Sequence, residues 1–96
     1  MKTKITKSSG DVFQDLGFSA VEAEKLNIKS DLMSKIERYI ETNGLTQEEA
    51  AERMGVSRPR ISDVVRGRID KFTIDALIDM LARVGHHVTV KVKVAA

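Results

Sequence analysis

Residues 45–67 read LTQEEAAERMGVSRPRISDVVRG, and this stretch decides the fold of the chain. Thr46 is followed three residues later by Glu49, which is the pattern of a capping box at the start of a helix. Gly55 stands where that helix should end, at a position that favours a left-handed residue. Ser57 is the expected cap of a second helix. Two short helices joined by a tight turn are the pattern of a helix-turn-helix.

The second helix of this pair is expected to have an apolar face and a polar face. Ile61, Val64 and Val65, with Val56 just before the helix, form the face predicted to be buried. The opposite face is polar and rich in arginine, and it comprises Ser57, Arg58, Pro59, Arg60, Ser62, Asp63 and Arg66. A helix that enters the major groove of DNA presents its N-terminal residues to the base edges.

Candidates for base contact lie in the first turns of this helix. Arg58 is the best candidate for bidentate contact with a guanine, and Arg60 is the second. Ser57 and Ser62 can bond to bases or to phosphates. Asp63 is more simply a surface partner of Arg60 or Arg66.

Candidates for phosphate contact lie on either side. Thr46 and Gln47 open the first helix, where backbone N–H groups and the Gln47 amide can meet a phosphate. Arg66, Arg68 and Lys71 flank the far end of the second helix. We expect these three to contact the DNA backbone, which sets the register but carries no sequence information.

The charge distribution agrees with this assignment. The whole chain has a net charge of only +2. Residues 1–44 carry seven basic and seven acidic side chains, whereas residues 57–71 carry five basic and two acidic ones. A local basic patch is typical of a nucleic-acid interface. A solvated charged surface accounts for the same numbers, so charge alone does not decide.

Length and composition exclude several classes of protein. The chain has 96 residues, of which 42% are hydrophobic and 31% charged, the balance of one folded domain. It has no Cys, which excludes disulfides and Cys-based zinc sites. No apolar run approaches the ~20 residues of a membrane span, and the N-terminus lacks the apolar core of a signal peptide. We therefore expect a cytoplasmic protein with no membrane partner.

The remaining chain predicts a mainly α fold of four to five helices. Residues 1–18 are interpreted as an extended segment with a short helix near 11–16, capped by Ser9. Residues 19–85 form the bundle. A capping box at Ser19 opens a helix that reaches residue 42, either continuous or broken near Asn27. Another helix follows Thr73 and ends at Gly85.

Residues 86–96 change to the period of a β-strand. Val88, Val90, Val92 and Val94 alternate with polar residues. A lone strand leaves its backbone groups unpaired, so it needs a partner. Residues 2–6 of the same chain offer one. We favour the same strand of a second subunit, because it matches the apolar face with an equal one and makes these four valines a dimerisation surface.

No pattern of catalysis or metal binding is visible. Adjacent His86 and His87 would face opposite sides of a strand, which suits chelation poorly. The chain has no Ser-His-Asp order and no Gly-rich phosphate loop. We predict that the protein is not an enzyme and needs neither a metal nor a cofactor.

The run from Leu45 to Ser57, continued through Ile61 and Gly67, resembles the Xre-type, lambda-repressor-like helix-turn-helix family. Over roughly residues 11–94 the chain also resembles a subgroup of this family, the HigA-like antitoxin regulators. The stretches that carry this resemblance are 11–18, 58–67, 70–72 and 75–77. The resemblance implies a homodimer that represses its own operon and is often encoded beside a RelE/HigB-like toxin. It also implies DNA-reading residues at Gln47, Ser57, Arg58, Pro59 and Ser62.

One of these positions departs from the family pattern. Many relatives have a polar residue where Pro59 stands. Since proline cannot donate a hydrogen bond to a base, this position would read DNA shape or a thymine methyl group.

The sequence therefore predicts a sequence-specific, homodimeric DNA-binding regulator that recognises a pseudo-palindromic operator and doubles as an antitoxin. The alternative is a protein-binding antitoxin or interaction module whose DNA binding is secondary. Its support is the N-terminal segment, where Phe13, Leu16 and Phe18 are placed to dock on a partner. The same side chains, Phe18 above all, could instead cover the protein's own core.

Overall fold

The computed structural model describes residues 11–94. Within this range the chain is mainly helical, as predicted, and a 3₁₀ turn (Ile69–Lys71) separates the last two helices. The α-helices are α1 (Val12–Asp15), α2 (Ala20–Thr42), α3 (Gln47–Met54), α4 (Arg58–Val65) and α5 (Ile74–Ala82). None of these helices is long and apolar enough to cross a membrane.

The long helix α2 is continuous through Asn27, which settles the alternative left open by the sequence. Its start is the predicted capping box: the Ser19 hydroxyl accepts from the Glu22 N–H at 3.1 Å. The Glu22 carboxylate in turn accepts from the Ser19 N–H at 3.4 Å. These two bonds satisfy backbone donors that have no partner inside the helix.

The short helix α1 forms as predicted, but its cap is Asp11. The Asp11 carboxylate accepts from the N–H groups of Phe13 at 3.1 Å and Gln14 at 3.2 Å. The prediction of Ser9 as the cap is therefore wrong, and Ser9 itself lies outside the described residues. Helix α1 packs on α2, and the rings of Phe13 and Phe18 meet in a T-shaped arrangement with 6.3 Å between centroids.

The core lies between α2, α3, α4 and α5. Its most completely buried large side chains are Ile36, Met54, Ile61, Val64 and Leu77. Phe72 is buried in the same core as Leu77, as expected for the residue before the cap of α5. Met33, Met54 and Met80 belong to the same core.

Val65 contradicts the predicted buried face of α4, because it is 42% exposed. Ile61 and Val64 are three residues apart and point together into the core. The next residue is turned about 100° further around the helix axis, away from that core. Val56, also predicted to be buried, is half-buried at the edge of the core.

The predicted C-terminal β-strand is absent from the described part of the chain, where residues 86–94 have no regular structure. Val88 is half-buried against the core, but Val90, Val92 and Val94 are 75%, 90% and 93% exposed. A strand forms only against a partner that accepts its hydrogen bonds. The intrachain partner that we considered, residues 2–6, lies outside the described residues. Pairing between two subunits remains a prediction.

Candidate nucleic-acid interface

Helix α3 begins at the capping box predicted from the sequence. The Thr46 hydroxyl accepts from the Glu49 N–H at 3.1 Å, and the Glu49 carboxylate accepts from the Thr46 N–H at 2.9 Å. The hydrogen bonds that the Glu49 carboxylate accepts from Thr46, chiefly from its backbone N–H and secondly from its hydroxyl, favour the charged form and lower the pKa of Glu49. The capping box fixes the position at which Gln47, the first residue of α3, leaves the loop.

The turn between α3 and α4 is built around Gly55, which has φ +70°. In this left-handed conformation the chain leaves α3, and the Val56 N–H donates to the Ala51 carbonyl at 3.0 Å. Ala50 and Ala51 are buried between the helices, where small side chains permit close approach. The turn therefore brings the start of α4 beside the start of α3.

The other end of α3 is tied to α2 and to the chain beyond α5. Arg53 Nη1 donates to the Tyr39 hydroxyl at 3.1 Å, which raises the pKa of Arg53. The rings of Tyr39 and His86 meet in a T-shaped arrangement with 5.3 Å between centroids. Tyr39 is itself half-buried against the core. Among residues 11–94 no group of three His, Cys, Asp or Glu could hold a metal ion.

The two helices share a surface concavity of about 580 Å³. The residues that line it are Gln47 from α3 and, from α4, Arg58, Pro59, Ser62, Val65 and Arg66. None of these described lining residues is acidic. The concavity thus brings together two guanidinium groups, an amide and a hydroxyl, a set of donors that suits phosphate oxygens and the acceptor atoms of guanine.

Five of the ten residues predicted to bind DNA therefore lie on one surface, and Val65 joins them although the sequence placed it in the core. The spacing along α4 is compatible with this exposure but did not decide it. Val65 is three residues after Ser62 and seven after Arg58, the spacing of residues on one helix face.

Arg60 is not brought into this group. It lies two residues after Arg58, about 200° around the helix axis. Its Nη1 donates to the Lys71 carbonyl at 3.0 Å, and its guanidinium lies 4.7 Å from the centre of the Phe72 ring. Arg60 therefore connects α4 to the 3₁₀ turn and the core.

The remaining predicted positions do not line the concavity. Asp63 faces Arg68, with 4.0 Å between Oδ1 and Nε, so our expectation of Arg60 or Arg66 as its partner is wrong. The exposed Lys71 ends the 3₁₀ turn. Ser57 precedes α4, but its side chain makes no capping hydrogen bond. Its hydroxyl remains available for an external partner.

The three N-terminal residues proposed to bind a partner behave differently from one another. Phe13 is half-buried and lines a groove with Met33 of α2 and Val64 of α4. Leu16 and Phe18 are 70% and 44% exposed. Of these three residues we expect Phe18 above all to cover the core, but Phe13 is the more buried of the two phenylalanines.

The comparison with known families agrees with the geometry of α3 and α4. A family model described as a helix-turn-helix domain matches residues 12–93. The match begins at the first residue of α1 and extends beyond α5 into the C-terminal segment. No curated protein matches the chain.

Proposed function

The chain belongs to the family of helix-turn-helix domains, and from this premise we propose that it is a DNA-binding transcription regulator. The observation that carries the proposal is the shared concavity, in which Gln47 from α3 meets Arg58, Ser62 and Arg66 from α4. Donor side chains from two helices converge on one surface, and its described lining has no carboxylate to repel phosphate.

In the proposed complex α4 lies in the major groove. Arg58, at the start of α4, pairs with the two acceptor atoms of a guanine, and Ser62 reaches the neighbouring base or phosphate. Gln47 and the backbone N–H groups at the start of α3 bind a phosphate. Arg66, Arg68 and Lys71 contribute further phosphate contacts, which make the affinity strongly dependent on salt.

We further propose that the regulator is a homodimeric autorepressor of the Xre type, in the HigA-like subgroup. Val90, Val92 and Val94 are exposed in the single chain, and they give the alternating apolar face of a strand that pairs with its copy. A two-fold dimer places two copies of α4 about 34 Å apart on a pseudo-palindrome.

A second candidate function, that of an antitoxin, has its own supporting observation. Val12, Leu16 and Phe18 are 64%, 70% and 44% exposed around α1, remote in the chain from the concavity. Exposed apolar clusters are typical of protein-binding surfaces. The proposed partner is a RelE/HigB-like toxin. A Leu16→Ser variant that loses the toxin while it retains DNA would separate the two functions.

The decisive experiment is fluorescence anisotropy of the protein with DNA from its own upstream region and with shuffled DNA, at two salt concentrations. We expect tight, salt-sensitive binding that prefers the upstream sequence. Arg58→Ala should weaken it, whereas Arg38→Ala, which removes an exposed arginine from α2, is the control for net charge. Equally weak binding to both DNAs would contradict the proposal.

A further inference from the structure

The concavity of α3 and α4 contains two carbon surfaces among its polar groups. Pro59 is exposed in the first turn of α4 and has no backbone N–H to donate. Val65 is 42% exposed at the end of the same helix. Both line the concavity together with Ser62, which lies between them, three residues from each.

Neither residue contributes to phosphate binding or to hydrogen bonding with a base. Their exposure leaves apolar surface in contact with water in the free protein, on the surface that would face DNA. The major-groove edge of the base pairs offers one apolar group, the C5 methyl of thymine. Burial of that methyl group against a pyrrolidine ring or a valine removes apolar area from water on both sides.

We propose that this surface reads thymine methyl groups, with Pro59 and Val65 as the residues that determine the specificity. The inference rests on the proposed DNA-binding function and adds the identity of the bases. Six residues of helix span about 9 Å, and successive bases on a strand are 3.4 Å apart. The two contacts therefore select thymines roughly two to three base steps apart, beside the guanine that Arg58 reads.

The test replaces thymine by deoxyuridine, which lacks only the C5 methyl group. The DNA is the upstream fragment, and each thymine is replaced in turn while anisotropy measures the affinity of the unmodified protein. We expect one or two thymines in each half-site whose replacement weakens binding roughly two- to fivefold. Replacements elsewhere should have no effect.

Two variants assign the effect to residues. Pro59→Ser and Val65→Ser should each abolish the loss at one thymine, so that thymine and deoxyuridine bind equally there. Val21→Ser is the matched control, since Val21 is 62% exposed on α2 and outside the concavity. This control should retain the full sensitivity to deoxyuridine.

The outcomes separate this inference from the proposed function. Sequence-specific binding that is indifferent to every deoxyuridine overturns the methyl contacts and leaves the regulator intact. Sensitivity that persists in both serine variants also overturns the assignment. No preference for upstream DNA over shuffled DNA removes both proposals. Because the scan uses the unmodified protein, it remains decisive if a variant fails to fold.

Discussion

The guanidinium of Arg60 lies over the ring of Phe72, with 4.7 Å between its central carbon and the ring centroid. The same group donates to the Lys71 carbonyl at 3.0 Å. Arg60 and Arg58 are separated by one residue in the chain, yet they have different surroundings. Arg60 holds α4 against the segment that leads into α5, and Arg58 lines the proposed DNA-binding surface.

The first prediction separates these two arginines. Arg58→Ala should weaken binding to upstream DNA by about 1–3 kcal/mol and leave the free energy of unfolding within about 0.5 kcal/mol of its original value. Arg60→Ala should instead lower the free energy of unfolding by about 1–2 kcal/mol, because a cation–π contact and a hydrogen bond are lost. Urea titration and anisotropy measure the two effects. An Arg60→Ala variant with full stability but the affinity loss of Arg58→Ala would contradict this assignment.

The second prediction concerns the turn of the helix-turn-helix. Gly55→Ala should lower the free energy of unfolding by about 1–2 kcal/mol, because a residue with a Cβ atom is strained at φ +70°. The new methyl group would lie 2.7 Å from Arg83 Nε, but a flexible arginine end can move aside.

Gly44→Ala is the matched control for Gly55→Ala. Gly44 has φ +60°, and a Cβ atom there meets no described atom within 4 Å. Measured by thermal or urea unfolding, the losses of unfolding free energy in the two variants should differ by less than about 1 kcal/mol. A much larger loss of unfolding free energy for Gly55→Ala, unchanged when Arg83→Ala is added, would contradict this prediction. It would show that the backbone of the turn, rather than the Arg83 side chain, fails to accommodate the new methyl group.

The third prediction is a pH dependence of the capping box. Hydrogen bonds to Thr46 lower the pKa of Glu49 from its ordinary value of 4.5. A carboxyl whose pKa is lower in the folded state than in the unfolded state stabilises the fold at pH values above its ordinary pKa. This contribution is lost as the pH falls through the pKa of the folded state. Glu49→Gln should therefore flatten the acid side of the curve of stability against pH.

Urea titrations across the acid range measure this effect. Glu52→Gln removes a carboxylate from the exposed surface of the same helix, outside the capping box, and serves as the control. If both glutamine variants change the curve equally, the Thr46–Glu49 pair makes no special contribution.

The fourth prediction tests the proposed dimer. Val90→Ser together with Val92→Ser should weaken self-association at least about tenfold, because two exposed valines lose their apolar contact across the two-fold axis. The control is Lys91→Ser together with Lys93→Ser, which changes the positions that alternate with the valines. It should weaken self-association less. Sedimentation velocity over a range of concentrations gives the dissociation constants. A protein that is monomeric at every concentration would rule out this dimer.

Most of the helical fold could be predicted because its signals are local. The capping boxes at Ser19 and Thr46 and the glycine at 55 act within four residues of themselves, and each forms as the sequence indicates. The missed cap, Asp11 in place of Ser9, shows the same point, since two nearby residues offered equivalent oxygen atoms. The prediction of the C-terminal strand failed because a strand forms only when a second strand is present to pair with it.

The candidate site could be predicted in part, since the spacing of α4 indicated which residues belong to it. Spacing did not reveal which of its arginines is engaged by packing. Arg60 contacts Lys71 and Phe72, which follow α4 in the chain and are brought back to it by the turn at 69–71. Val65 was misplaced for a related reason, because the width of a buried face depends on the neighbouring helices.

The sequence by itself determined where most of the helices begin and end and that a helix-turn-helix lies at 45–67, because caps, turns and periodicity act through nearby residues. The tertiary structure decided which side chains of α3 and α4 share one surface, that Arg58 lies on it and Arg60 does not, and that Val65 is exposed there. These relationships depend on how the helices are rotated and packed against one another, and packing joins residues that are distant in the chain.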